Sequence, residues 1–197
     1  IKECLLLNRP AYVGMCILDL SKLLMYDFHY NYIKQKYNHN ARLLFTDTDS
    51  LCYEIKTKDA YNDFYEDRHL FDFSDYSPDS KFHDSTNKKV IGKFKDEACG
   101  TPIREFVGLR SKLYSYVLDN EKSVKKCKGI KKNVVKNEIM HENYKDVLFN
   151  KSQSLHQMNV IRSVKHKIKS VTVNKISLSC YDDKRYILSD GVNTMSF

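Results

Sequence analysis

Two aspartates, Asp47 and Asp49, stand two apart within Leu44-Phe45-Thr46-Asp47-Thr48-Asp49-Ser50-Leu51. In an extended segment, period two puts both carboxylates on one face. Paired carboxylates on a stiff hairpin tip suit Mg²⁺, a hard cation that takes oxygen ligands. It often uses one or two protein carboxylates, with phosphate oxygens and water completing its shell. Two such ions can activate an attacking oxygen and stabilise a leaving one in nucleotidyl transfer. The same residue types also favour a plain turn through side-chain to backbone hydrogen bonds. A second pair, Lys112 and Tyr114, lies in Ser111-Lys112-Leu113-Tyr114-Ser115. On one strand the two share a face, and a cation beside an aromatic donor suits a sugar–phosphate backbone or a primer end. Lysines crowd residues 122–136: Lys122, Lys125, Lys126, Lys128, Lys131, Lys132 and Lys136. Such a run suits phosphates, although a solvated face or an import patch has the same composition.

The surrounding pattern supplies elements to position these groups. Asn8-Arg9-Pro10 reads as a helix start, and Val13, Cys16, Ile17, Leu20, Leu24 and Phe28 recur at helical spacing. Leu18, Leu23 and Met25 widen the apolar stripe, so a mostly buried helix is expected to about Tyr37. Leu43 to Phe45 and Leu51 to Ile55 read as two strands of a hairpin around the Asp tip. Residues 59–68 read as a short amphipathic helix and residues 74–89 as loop. Val90 to Ala98 and Ile103 to Leu118 read as strands. Residues 131–150 read as helix, in two segments broken near His141. From Leu155 to Phe197 the pattern is β, with turns at 181–184 and at Asp190-Gly191. Asp182-Asp183 reads as a turn, and His166 as a surface or phosphate-facing residue.

Composition sets the outer limits. The chain has 197 residues and a globular make-up, 42% hydrophobic and 29% charged, which excludes a collagen, a low-complexity array or a disordered tail. No apolar run reaches the roughly 18 residues of a membrane span, because Asp19 and Lys22 interrupt the best candidate. The six cysteines form no C-x-x-C pair and no zinc-ligand spacing, so free thiols in a reducing, intracellular setting are expected. Residues 1–100 carry 14 basic and 16 acidic residues, and the rest carry 19 and 9. Such asymmetry suggests a carboxylate-bearing part and a part facing a polyanion. The first residue, Ile1, suggests a piece of a longer polypeptide.

The stretch Leu44 to Leu51 resembles the D-T-D-S motif of family B DNA polymerases, which lies on a palm hairpin after a long helix. Family members commonly place Tyr and a small residue before it, where this chain has Phe45 and Thr46. Lys112-Leu113-Tyr114 resembles the family's K-x-Y motif, preceded by Gly92 to Glu97 and Glu105 to Arg110. The chain is most similar to the protein-primed branch, including polymerases of Maverick (Polinton) transposons and related viruses. Lys128 to Lys132, Ile161-Arg162-Ser163 and Ser179 to Leu188 add to this likeness, which covers most of the chain.

The resemblance implies an α+β fold. Residues 1–118 would be the C-terminal part of a palm, with long helix, catalytic β-hairpin and antiparallel strands. Residues 119–197 would be a small mixed, largely β thumb that binds duplex. It implies metal binding by Asp49 with Asp47 in support, and primer or DNA contact by Lys112, Tyr114, Lys125, Lys126, Lys128, Lys131 and Lys132. The implied activity is DNA-directed DNA polymerase, with two Mg²⁺ ions, primer–template DNA, deoxynucleoside triphosphates and a terminal priming protein. A nuclear or viral setting follows from the same likeness, and no membrane is involved. The family's first palm carboxylate, its nucleotide-binding fingers helix and its exonuclease motifs are absent from these residues and would lie upstream. The isolated chain is therefore expected not to polymerise DNA. Two alternatives are a non-catalytic DNA-binding remnant of a mobile-element polymerase and an unrelated basic interaction module.

Overall fold

A computed structural model describes residues 9–181, 185–191 and 193–196. The fold is mixed α+β, with a long N-terminal helix followed by small antiparallel sheets and hairpins. It divides into two compact units, Ile1–Cys99 and Gly100–Phe197. The 118/119 border drawn from the sequence falls in the turn joining two strands of one sheet. No helix among the described residues is long and apolar enough to cross a membrane. Cys16, Cys52, Cys99, Cys127 and Cys180 are free thiols.

In the first unit, α1 (Ala11–Asp27) runs into a π-helical stretch, Phe28–Ile33, and then into α2 (Lys34–Tyr37). The expected length is met, but the expected burial holds only from Met25 onward. Within α1 only Met25 is buried, whereas Tyr12, Met15, Ile17, Leu20 and Leu23 are all 60% or more exposed. The described part of this unit supplies apolar partners to the C-terminal end of the helix alone. There Phe28, Ile33 and Tyr37 join Ala41, Phe71, Phe73 and Tyr76 in an aromatic core. Phe28 stacks closely on Phe94 with ring centroids 3.9 Å apart and meets Phe71 edge-on at 5.8 Å, the second a favoured geometry for aromatic pairs.

The hairpin β1 (Ala41–Asp47) and β2 (Ser50–Ile55) follows, and α3 (Ala60–Glu66) comes next. Asp59 caps α3 by accepting from the backbone N–H groups of Tyr61 and Asn62, which satisfies two of the helix's orphan donors. Tyr37 Oη and Thr57 Oγ1 both donate to Asp63, while Tyr32 Oη donates to Asp67, which also pairs with Lys36. These bonds fix α3 against the long helix. Val90 to Ala98 is not a strand. Lys89 and Gly92 have positive φ, Ile91 is fully exposed, and only Phe94 makes a bridge, to Phe71. Turns at 89–92 leave no extended run to pair.

In the second unit, β3 (Ile103–Arg110), β4 (Leu113–Leu118) and β5 (Ser123–Cys127) form one antiparallel sheet in that order. The single strand expected over Ile103 to Leu118 is thus a hairpin. It bends at Ser111-Lys112, where Lys112 has φ +58°. Two helices, α4 (Lys132–Asn137) and α5 (His141–Asn150), break where the sequence suggested. Val135, Ile139, Tyr144 and Val147 pack with Val107, Leu113, Cys127 and Leu178 into one core. A long ribbon of β6 (Gln153–Val164) and β7 (Lys167–Ser179) follows, turning at Lys165-His166 with positive φ at both. The chain ends in β8 (Arg185–Ile187) and β9 (Thr194–Ser196), whose turn at Asp190-Gly191 is as expected. Asp182 and Asp183 lie outside the described residues.

Candidate functional site: a carboxylate turn and a cationic sheet end

β1 and β2 are held in register from Ala41 opposite Ile55 to Asp47 opposite Ser50. One irregularity lies between Leu43 and Phe45. A bulge of this kind adds twist and re-aims the residues beyond it. Thr48 and Asp49 form a two-residue loop. Thr48 has φ +57°, a left-handed conformation that a β-branched residue rarely adopts. Three contacts hold the loop: the Asp49 N–H donates to the Asp47 carbonyl at 2.7 Å, Ser50 Oγ donates to the same carbonyl at 3.2 Å, and Thr48 Oγ1 reaches Asp47 Oδ1 at 3.4 Å.

The period-two argument therefore does not describe this pair. Asp47 ends a strand and is half-buried, whereas Asp49 belongs to the turn and is exposed. The left-handed residue between them interrupts the extended geometry on which that argument rests. Both carboxylates remain at the same hairpin tip, held by a tight backbone. Oxygen donors of this kind fit Mg²⁺, which accepts one or two carboxylates. Among the described residues, no group of three or more His, Cys, Asp or Glu side chains could hold a metal.

Lys112 and Tyr114 lie in the second unit. They are not two residues of one strand: Lys112 sits in the β3–β4 turn and Tyr114 in β4. Tyr114 is buried at 7% exposure, between Phe106 (centroids 6.0 Å) and Tyr116 (6.4 Å, nearly parallel). Its strand partner on β5 is Lys126. The Lys128 N–H donates to the Lys112 carbonyl at 3.1 Å. The sheet thus gathers Lys112, Lys126 and Lys128 around one end of β4, with Lys131 and Lys132 exposed at the start of α4. Lys125 is drawn away from this group. Its Nζ donates to the carbonyls of Ile139 at 2.6 Å and Lys136 at 3.4 Å, which satisfies carbonyls orphaned at the end of α4.

The sequence reading missed a buried polar chain beside these residues. Ser115, fully buried, donates to the Val124 carbonyl at 3.1 Å and accepts from His141 Nδ1 at 2.9 Å. His141 Nε2 faces Glu105 at 3.5 Å without hydrogen-bond geometry, and Glu105 pairs with Lys145 at 2.6 Å. The hydrogen bond from Lys145 holds the Glu105 carboxyl below its ordinary range, against a smaller upward push from burial. Serine, histidine and glutamate in series suggest a hydrolytic relay. The Ser115 hydroxyl has no solvent access and its proton is committed to Val124, so it cannot attack a substrate. No spacing in the sequence signals this chain, because β3, β4 and α5 each contribute one member.

No protein-family model matches the chain, and no curated protein or solved structure matches it either.

Proposed function

We propose that the chain is the carboxylate hairpin and DNA-holding C-terminal region of a DNA-directed DNA polymerase of the protein-primed family B type. The observation that carries this reading is the place of Asp47-Thr48-Asp49-Ser50. It forms the whole tip of a β-hairpin that follows a long helix, the arrangement that the D-T-D-S resemblance implies. The cationic end of the β3–β4–β5 sheet, with Lys112, Lys126 and Lys128, gives the reading a place for primer–template phosphates.

In the parent reaction, the primer 3′ oxygen attacks the α-phosphorus of a deoxynucleoside triphosphate. A new phosphorus–oxygen bond forms and the bond to pyrophosphate breaks. Bound Mg²⁺ ions would lower the cost of the charge on both oxygens. The role of Asp49, with Asp47 behind it, is to offer carboxylate oxygens at a fixed turn. The role of Lys112, Lys126 and Lys128 is to hold phosphates without reading bases.

The test is primer extension by a polypeptide that carries this chain together with palm and fingers segments. Asp49→Ala should abolish templated incorporation and leave DNA affinity within about twofold, the ordinary effect of a change that spares binding. Retained synthesis would refute the assignment. A second reading, a DNA-binding remnant without catalysis, draws on the cationic end of the β3–β4–β5 sheet alone. It predicts DNA binding that no Asp47 or Asp49 substitution changes, with no synthesis in any context.

A further inference from the structure

Strand register sorts the side chains of the β6–β7 ribbon onto two unlike faces. Pairs facing one way are Val164 with Lys167, Arg162 with Lys169, Val160 with Val171, Met158 with Val173, and His156 with Lys175. Pairs facing the other way, such as Asn159 with Thr172 and Gln157 with Asn174, include no charged residue. Every charge within the two strands therefore lies on a single face. Between Asp146 and Asp182 the sequence has no acidic residue to neutralise it.

The tip of the ribbon is solvent-exposed on all sides, and it repels itself. Arg162 stands directly opposite Lys169, a like-charge pair that destabilises a sheet. Lys167 follows on the same face, with Lys165 and His166 in the turn. Toward its base the same face turns inward: Met158 is buried and Val173 is half-buried. Lys175, on this face, reaches the β5–α4 loop and donates to the Gly129 carbonyl at 3.1 Å. That loop carries Lys128 on one side of Gly129 and Lys131 two residues beyond it. Lys175 thus ties the base of the charged face to the loop that bears these lysines.

We propose that this face of the ribbon, through Arg162, Lys167 and Lys169, is a binding surface for the phosphates of double-helical DNA. The inference rests on the reading that the chain holds DNA, and it moves the main contact from the lysine run to the ribbon. Lys167 and Lys169 stand about 7 Å apart along β7, at roughly 3.3 Å per residue, and Arg162 lies directly across from Lys169. Apart from His156, the face presents only cations and aliphatic groups, and the cations suit contact with phosphate oxygens.

The test is fluorescence anisotropy of the full chain with a labelled DNA duplex across a salt series. Three proteins are compared: wild type, the triple variant Arg162→Ala, Lys167→Ala, Lys169→Ala, and the pair Gln157→Ala, Asn174→Ala on the uncharged face. Circular dichroism checks that each is folded; single charge-removing variants replace the triple if it is not. The slope of log affinity against log salt should fall by about 2 to 3 in the triple variant, near 0.9 per lost phosphate contact. The uncharged-face variant should bind as wild type does. An unchanged slope in the triple variant, with loss instead on Lys131→Ala, Lys132→Ala, overturns the ribbon and leaves DNA holding intact. No duplex binding by wild type overturns both.

Discussion

Asp72 offers the sharpest stability test in the first unit. Its carboxylate is buried at 6% exposure. Burial by itself would push it up, but hydrogen bonds outweigh that effect. The backbone N–H groups of Ser74 (2.9 Å) and Lys89 (3.1 Å) donate to it, and Lys95 Nζ lies 3.3 Å away. The result is a carboxyl held down to about 2, against an ordinary 3.8. The folded protein thus binds this proton less readily than the unfolded chain does. Stability from Asp72 is fully present above the unfolded value near 4 and is lost as pH falls toward 2. At about 1.4 kcal/mol per pH unit, the stabilisation is roughly 2–3 kcal/mol. Asp72→Asn keeps the shape but sets an amide against three donors. It should destabilise the unit at pH 7 by about 2 kcal/mol, or roughly 10 °C in Tm for a unit of this size. Calorimetry between pH 7 and pH 2 reads both effects. Wild type should lose more stability than the variant below pH 4. Equal pH dependence in the two proteins would refute the reasoning.

Three further outcomes are expected. Ser115→Ala removes the hydrogen-bond partner of buried His141 Nδ1 and should cost the second unit about 1–3 kcal/mol, read by chemical denaturation; an unchanged midpoint would contradict the buried chain. Lys125→Met removes the donor to Ile139 and Lys136, so stability should drop by about 1 kcal/mol while duplex affinity barely moves; a large affinity loss with no stability loss would return Lys125 to the DNA-binding set. Thr48→Gly relieves a left-handed β-branched residue and should raise stability by about 0.5–1 kcal/mol after the added freedom of the unfolded chain is set against it; destabilisation would show that the Thr48 side chain holds the turn.

The parts legible in the sequence were those with a strong local signal. Helical spacing from Val13 to Phe28 marked the long helix, and two apolar runs around a polar tip marked β1 and β2. The break at His141 and the turn at Asp190-Gly191 were visible for the same reason. Burial of α1 was not legible, because an apolar stripe shows that a helix wants a partner and not that this unit provides one. Ser111-Lys112 carries no glycine, asparagine or aspartate, so nothing local announced the turn that splits β3 from β4. At Asp47 and Asp49 the sequence located the tip, but their relative geometry depended on the φ of Thr48. The one-sided charge of the ribbon had a readable trace: lysines alternate at 165, 167 and 169 with no acid nearby. Only the cross-strand register put Arg162 beside them.

The carboxylate turn is the centre of the account, and paramagnetic broadening by Mn²⁺ in amide NMR spectra tests it most directly. Millimolar Mn²⁺ stands in for Mg²⁺, so that weak binding by two carboxylates still registers. The account predicts that the amides of Thr48, Asp49 and Ser50 broaden first, that Mg²⁺ reverses the effect, and that Asp49→Ala removes it. Broadening centred elsewhere, at Asp63 and Asp67 for example, with the hairpin tip untouched, would contradict it.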